Sequence, residues 1–297
     1  MFFLAETIWG IAMSLYSGAN EAMIYDSLKK INEEKLSKKI FGRCQSMNLV
    51  AMVIASFAGG FIAKYLGLEW PMRLMAIPLT LAFFVCLIMK EPKAEEKKES
   101  LSYIEILRDG VKYFYKHPIL KILAFSEIPI SLFVFYIIWI YQIILKDINF
   151  NIAYFNIVHA GLTIVQIILL NTYHKWDRII GKKNYLLASA LIPGIAFIVL
   201  GFSFSPWLVI PLILVISMFG LTRKTVFAAY YNKHIESHHR STVLSTISMT
   251  KKFIAAFVYP LIGIAVDWKP RITLTGIGIA LLVFGIMSRI EEDMLLD

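Results

Sequence analysis

Long apolar runs, broken by short polar and charged stretches, dominate the pattern along the chain. The runs fall at about 2–25, 44–66, 71–90, 119–145, 152–173, 184–203, 206–231, 241–267 and 271–290. Each is close to the roughly 20 apolar residues that an α-helix needs to cross a bilayer. The runs are continuous rather than alternating, so they predict helices and not the strands of a membrane barrel. The expected fold class is therefore an all-α membrane protein with about nine transmembrane helices.

The longest connection, 91–117, divides the chain into three runs before it and six after it. Its first part, EPKAEEKKES, is charged. Its second part places Ile104, Leu107, Val111 and Phe114 on one helical stripe. That stripe suits either an amphipathic helix in the membrane interface or an extension of the next span. The expected organisation is a three-helix unit over 1–90, a cytoplasmic linker with an amphipathic helix over 91–117, and a six-helix bundle over 118–297.

Two polar stretches resemble one another. SGANEAMIYDSLKKINEEKLSKKIFGR, Ser17 to Arg43, leaves an apolar run through Tyr25-Asp26 and ends on an arginine that opens the next run. GLTRKTVFAAYYNKHIESHHR, Gly220 to Arg240, does the same through Tyr231-Asn232. Two related halves are expected. Repeats with a substrate path between them are a common plan of secondary transporters.

Composition confirms lipid as the solvent for most of the chain. Hydrophobic residues make up 58% and charged residues 17%, with a mean hydropathy of +0.66. A soluble domain carries about 25% charged residues. The formal charge of +9 does not point to nucleic acid, because the basic residues sit between apolar runs. Of the 30 Lys and Arg, 23 fall on one side of the alternating runs and five on the other, with Lys251 and Lys252 inside a span. The rich side is expected to be cytoplasmic, with Met1 outside and Asp297 inside. Anionic lipid headgroups suit the same charges. Met1–Trp9 lacks the basic start of a signal peptide, and Glu6 interrupts its apolar run.

Chemistry-bearing residues are few. Cys44 and Cys86 cannot build a disulfide scaffold or a metal site. His234, His238 and His239 with Glu236 share a short loop and do not read as a metal cluster. No motif of a zinc protease, a serine hydrolase or a phosphate-binding loop occurs, so neither an enzyme nor an ATP-driven pump is expected and no cofactor is implied.

Ionisable residues within spans are costly and commonly face a cavity or a partner. Glu127 is a candidate proton carrier or cation site, the alternative being an interfacial glutamate paired with a loop lysine. His159 and Gln166 lie on one face of their span, with Thr163 between them. They suit either substrate contacts or hydrogen bonds between helices. Lys251 and Lys252 suit an anionic group or repulsion of a proton, or else they snorkel to the interface. Tyr136, Trp139 and Tyr141 could line a path for an amphipathic compound or sit at the membrane interface.

Three stretches carry a family resemblance. SGANEAMIYDSLKK resembles the end of the fourth helix in major facilitator superfamily transporters. RSTVLSTISMTKKFIAAFVYPLIGIAVD resembles that superfamily's eleventh helix, with its Arg-x-Thr-Val-Leu-Ser opening and Gly-x-x-x-Asp close. HKWDRIIGKK resembles its loop between helices eight and nine, although Gly181 falls four residues after Asp177 rather than three and Tyr173 replaces the leading glycine. The resemblance runs from helix four to helix twelve, so the chain is expected to be a truncated transporter without the first three.

The resemblance implies a partial two-bundle fold of three plus six helices that rock about a central site. Helices four, seven, ten, five, eight and eleven would line its cavity. Glu21, Asp26, Arg43, Asp177, Arg178 and Arg240 would form a cytoplasmic gate, with Asp177 against the helix that begins at Arg43; ordinary loop salt bridges are the alternative. The expected function is proton-coupled export of a small, amphipathic or drug-like molecule from the cell, with protons and the lipid bilayer as partners and no nucleic acid. The alternatives are a membrane-embedded enzyme acting on lipid and an inactive fragment or non-transporting membrane scaffold.

Overall fold

The computed structural model describes residues 36–89, 103–235, 240–288 and 290–295, together with isolated positions among the first 33. Most of the first expected span, Glu21 and Asp26, and the charged part of the long connection lie outside the described residues. By its internal contacts the chain forms two units, Met1–Ser100 and Leu101–Asp297.

Among the described residues every regular element is helical. In the first unit, α1 spans Ser37–Leu66, α2 Trp70–Leu74 and α3 Ala76–Ile88. The helix expected to open at Arg43 thus starts at Ser37. Nothing in SKKIFGR breaks a helix, so the polar segment joins the apolar one. Gly67, with a φ of 104°, ends α1, and Pro71 opens the next turn.

In the second unit, α4 spans Tyr103–Lys116, α5 Pro118–Phe135, α6 Ile137–Asp147, α7 Phe155–Ile180 and α8 Lys182–Gly201. They are followed by α9 over Pro206–Ile216, a π-helical turn over Ser217–Leu221, α10 over Arg223–His234, α11 over Arg240–Trp268 and α12 over Pro270–Met287. Eight helical segments among the described residues are long and apolar enough to cross a membrane, with α2–α3, α5–α6 and α9–α10 each counting once.

Three boundaries differ from expectation. The stretch HKWDRII, read as loop, continues α7 to Ile180. Its residues are compatible with a helix, and the break comes only at Gly181, whose φ of 82° suits glycine. The span 119–145 breaks at Tyr136 into α5 and α6. The span 206–231 contains the π turn and runs on to His234.

The amphipathic helix α4 packs against α11, with Phe114 buried and Val111 half-buried. Two apolar clusters fill the bundle. One gathers Ile137, Ile140, Phe197, Ile213 and Ile277. The other gathers Leu120, Leu123, Tyr185, Phe227 and Val243. The helices α8 and α12 meet along their lengths because both are glycine-lined. A Cβ on Gly278 would stand 2.6 Å from the carbonyl oxygen of Gly194. Small residues that let backbones approach are a recurrent device of membrane helices. At one end of the bundle Arg271 ties α12 to Asp147 of α6 at 2.6 Å and donates to the Ser203 carbonyl at 2.7 Å. At the other end Lys182 Nζ donates to the Leu295 carbonyl at 3.2 Å.

Candidate functional site

A cavity of about 480 Å³ opens among α5, α10 and α11. Helical repeat places its lining. On α5 the steps Glu127, Ser131 and Phe135 recur every four residues, and on α11 so do Lys251, Ala255 and Tyr259. Lys224, Ala228 and Tyr231 do the same work on α10, with Gly220 and Leu221 of the π turn above them. Most of the wall is apolar. The polar groups gather around Glu127.

Glu127 is 3% exposed. Its Oε1 accepts from Lys251 Nζ at 2.6 Å and from Ser131 Oγ at 2.6 Å. The hydroxyl comes from one turn along the same helix, the ammonium from α11. Lys252 and Lys224 line the same cavity and are exposed within it. So Glu127, Lys251 and Lys252, chosen separately from sequence, come together. The partner of Glu127 is a lysine from within a span and not one from a loop.

Behind this cavity lies a residue of the polar stretch Gly220–Arg240, whose basic residues belong to the side expected to be cytoplasmic. Arg223 is 1% exposed and stands inside the bundle. One end of its guanidinium donates to the Leu186 carbonyl at 2.5 Å and to Ser189 Oγ. The other end donates to Ser126 Oγ at 2.9 Å and to the Ser126 carbonyl at 3.2 Å. Its plane covers the Phe227 ring at 4.6 Å. Ser126 Oγ is also 2.8 Å from Ser288 Oγ, just past α12. One side chain therefore joins α5, α8 and α10 and reaches α12 through a serine. Arg223 Nε and the buried Tyr231 hydroxyl have no hydrogen-bond partner among the described residues. The signal was available: Arg223 sits inside an expected span, under the same rule that singled out Glu127.

The π turn shapes this region. A wide turn frees backbone carbonyls, and Thr222 Oγ1 answers two of them, Met218 O at 2.7 Å and Phe219 O at 3.3 Å. Gly220 lets the turn press on α5; a Cβ there would collide with the side chain of Val134.

The remaining candidates stand elsewhere. Gln166 Nε2 donates to Ser217 Oγ at 3.0 Å, and Ser217 Oγ donates to the Leu162 carbonyl at 3.0 Å, which knots α7 to the π turn. His159 Nδ1 lies 3.4 Å from the Tyr141 hydroxyl. Neither His159 nor Gln166 lines the cavity. Tyr141 is buried and Trp139 exposed; the aromatic lining is Tyr231 with Phe135 and Tyr259, the last two stacked with ring centroids 6.0 Å apart. Among the gate candidates, Arg43 is exposed on α1 and Arg178 is exposed on α7. Asp177 and Arg240 lie on α7 and α11, and their side chains are outside the described residues, as are Glu21 and Asp26. Among the described residues no group of three or more His, Cys, Asp or Glu is arranged to hold a metal ion.

A helical membrane bundle with a charged, otherwise apolar cavity defines a class of membrane carrier. The chain matches the Major Facilitator Superfamily over residues 1–260 and belongs to that family. It is a multi-pass membrane protein of a family of secondary transporters rather than enzymes. No curated protein matches it in sequence.

Proposed function

We propose that this chain is a proton-coupled secondary transporter of a small, partly apolar molecule, with Glu127 as the group that takes up and releases the proton. The observation that carries this reading is the ion pair between Glu127 and Lys251 at 2.6 Å in the wall of the cavity. A carboxylate in an apolar wall is costly unless paired, so its protonation, its partner and the occupant of the cavity are tied together. The apolar faces of Leu132, Phe135, Ile247 and Tyr259 suit the body of an amphipathic molecule.

The charge bias along the sequence supports a cell-membrane protein with Met1 outside and Asp297 inside. The proposed direction is export in exchange for protons. A second coupling, substrate moving with the proton, is favoured by one observation: a cation already sits on the carboxylate.

The test follows efflux of a panel of lipophilic dyes from cells expressing the chain, with and without an ionophore that collapses the proton gradient. Movement that the ionophore stops, and that Glu127→Gln uncouples from the gradient, is the expected result. Proton-driven movement that survives Glu127→Gln unchanged rejects the assignment.

A further inference from the structure

The charge of the cavity identifies its occupant. The pair of Glu127 and Lys251 is neutral. Lys224 and Lys252 line the same cavity and form no ion pair with a described residue. Among the described residues the charged and titratable groups around Glu127 are Lys251, Lys252 and Tyr259 from α11 and Lys224, Arg223 and Tyr231 from α10. Of the same residues the π turn contributes Gly220 and Leu221, and none of α4, α6 or α12 lines the cavity. One described acid thus stands among four cations, and that acid is already engaged.

We infer that the transported molecule is an amphipathic organic anion, and that it moves by the second of the two couplings above, together with a proton in the same direction rather than in exchange for one. The inference rests on the proposed role of Glu127. The anionic head group takes Lys251 from Glu127, with Lys224 and Lys252 beside it, and the apolar body lies along Phe135 and Tyr259. Glu127, displaced, takes one proton from the aqueous side. The charge balance is closed: one negative charge and one proton enter, so the occupied site has the same net charge as the empty one. Either partner alone leaves a dry, unpaired ion. A bound anion without the proton strands the carboxylate, and a proton without the anion strands the ammonium. The empty carrier returns with the ion pair remade. The cavity's volume of about 480 Å³ accommodates an aromatic or medium-chain anion.

Linkage makes the two bindings reciprocal. Each raises the affinity of the other by the same factor. The test uses the purified full chain in an uncharged detergent and two matched probes of permanent charge, 2-naphthalenesulfonate and (2-naphthylmethyl)trimethylammonium. Calorimetry at several pH values, in buffers of different ionisation enthalpy, reads affinity and proton uptake together.

The expected result is sulfonate binding with uptake of about one proton, and an affinity that rises by up to about tenfold per unit fall in pH. Lys224→Gln and Lys252→Gln are each expected to weaken sulfonate binding roughly three- to tenfold. Both side chains are exposed, so the fold should tolerate the change. Glu127→Gln should bind sulfonate with no proton uptake and no pH dependence.

Preferential binding of the ammonium probe overturns the inference. So does binding of neither probe. Sulfonate binding indifferent to the lysine substitutions overturns it too, because those lysines then merely snorkel. If a dye still moves with the proton gradient while the sulfonate does not bind, this inference fails and the transporter reading stands. If the sulfonate binds through the lysines without proton uptake, it is the proton role of Glu127 that fails.

Discussion

At the scale of single residues, one buried cation, Arg223, holds several helices of the second unit together. Arg223 has no carboxylate within hydrogen-bond reach among the described residues, and its guanidinium is spent on serine hydroxyls and helix carbonyls. The fork geometry is what allows one side chain to serve two helices at once. Arg223→Lys keeps the buried charge and loses the fork, so it is expected to lower stability by about 2–3 kcal/mol. Arg223→Met removes the charge and its desolvation together and is expected to cost less. Thermal unfolding in detergent ranks them; a lysine variant more stable than the methionine variant rejects this account. For Glu127 the relevant neighbour is Lys251. Swapping the pair, Glu127→Lys with Lys251→Glu, is expected to restore more folded protein in the membrane than either single change. Breaking one partner of a buried pair strands the other.

At the scale of elements, glycines set how closely helices meet, and the two tight places differ in kind. At Gly278 the obstacle to a side chain is the backbone of α8, including the Gly194 carbonyl oxygen at 2.6 Å. At Gly220 it is only the side chain of Val134. Gly278→Ala is therefore expected to lower the melting temperature more than Gly220→Ala. Adding Val134→Ala should rescue much of the loss in Gly220→Ala, because it removes the Val134 methyl groups that the new Cβ would strike and leaves only the Cβ of residue 134, at 3.0 Å. If no rescue occurs, the π turn needs its glycine for some reason other than space. The helices themselves were legible in the sequence, since a run of 20 apolar residues has no other way to satisfy its backbone in lipid. Their ends were less so. HKWDRII is polar but not helix-breaking, and only Gly181 stops it. The π turn was invisible, because SMFGL carries no local signal distinct from an α-helix. Glu127 with Lys251 and Lys252 was found through the cost of burying charge, though not their pairing. Arg223 was missed because its neighbour Lys224 and the loop beyond made it look like one more cytoplasmic charge.

At the scale of the whole molecule, family membership fixes the kind of work done and the charge distribution proposes which way it faces. Twenty-three of the 30 basic residues fall on one side of the alternating spans. A reporter fused after Asp297 that is active only in the cytoplasm is accordingly expected to be active. An external C-terminus overturns the proposed orientation and with it the expected side of proton entry. The two ends of the second unit are fastened differently. One end carries the Arg271–Asp147 ion pair, half open to water, and the other carries the chain's last described residues against Lys182 and His234. High salt should loosen the first more than the second, since exposed pairs are screened.

The π turn at Ser217–Leu221 has a further consequence. It carries one residue more than an α-helical turn, so everything after it is turned about the helix axis by roughly 100° relative to α9. That is the angle between neighbours on a helix, and here the neighbours are Arg223, which faces the packed interior, and Lys224, which faces the cavity. The turn acts as an index mark that sets which of two adjacent cations is buried among the helices and which lines the cavity. Straightening it into an α-helical turn with every residue kept would rotate that assignment by one place, whereas removing one residue along with the bulge would leave Arg223 and Lys224 on the faces they now occupy.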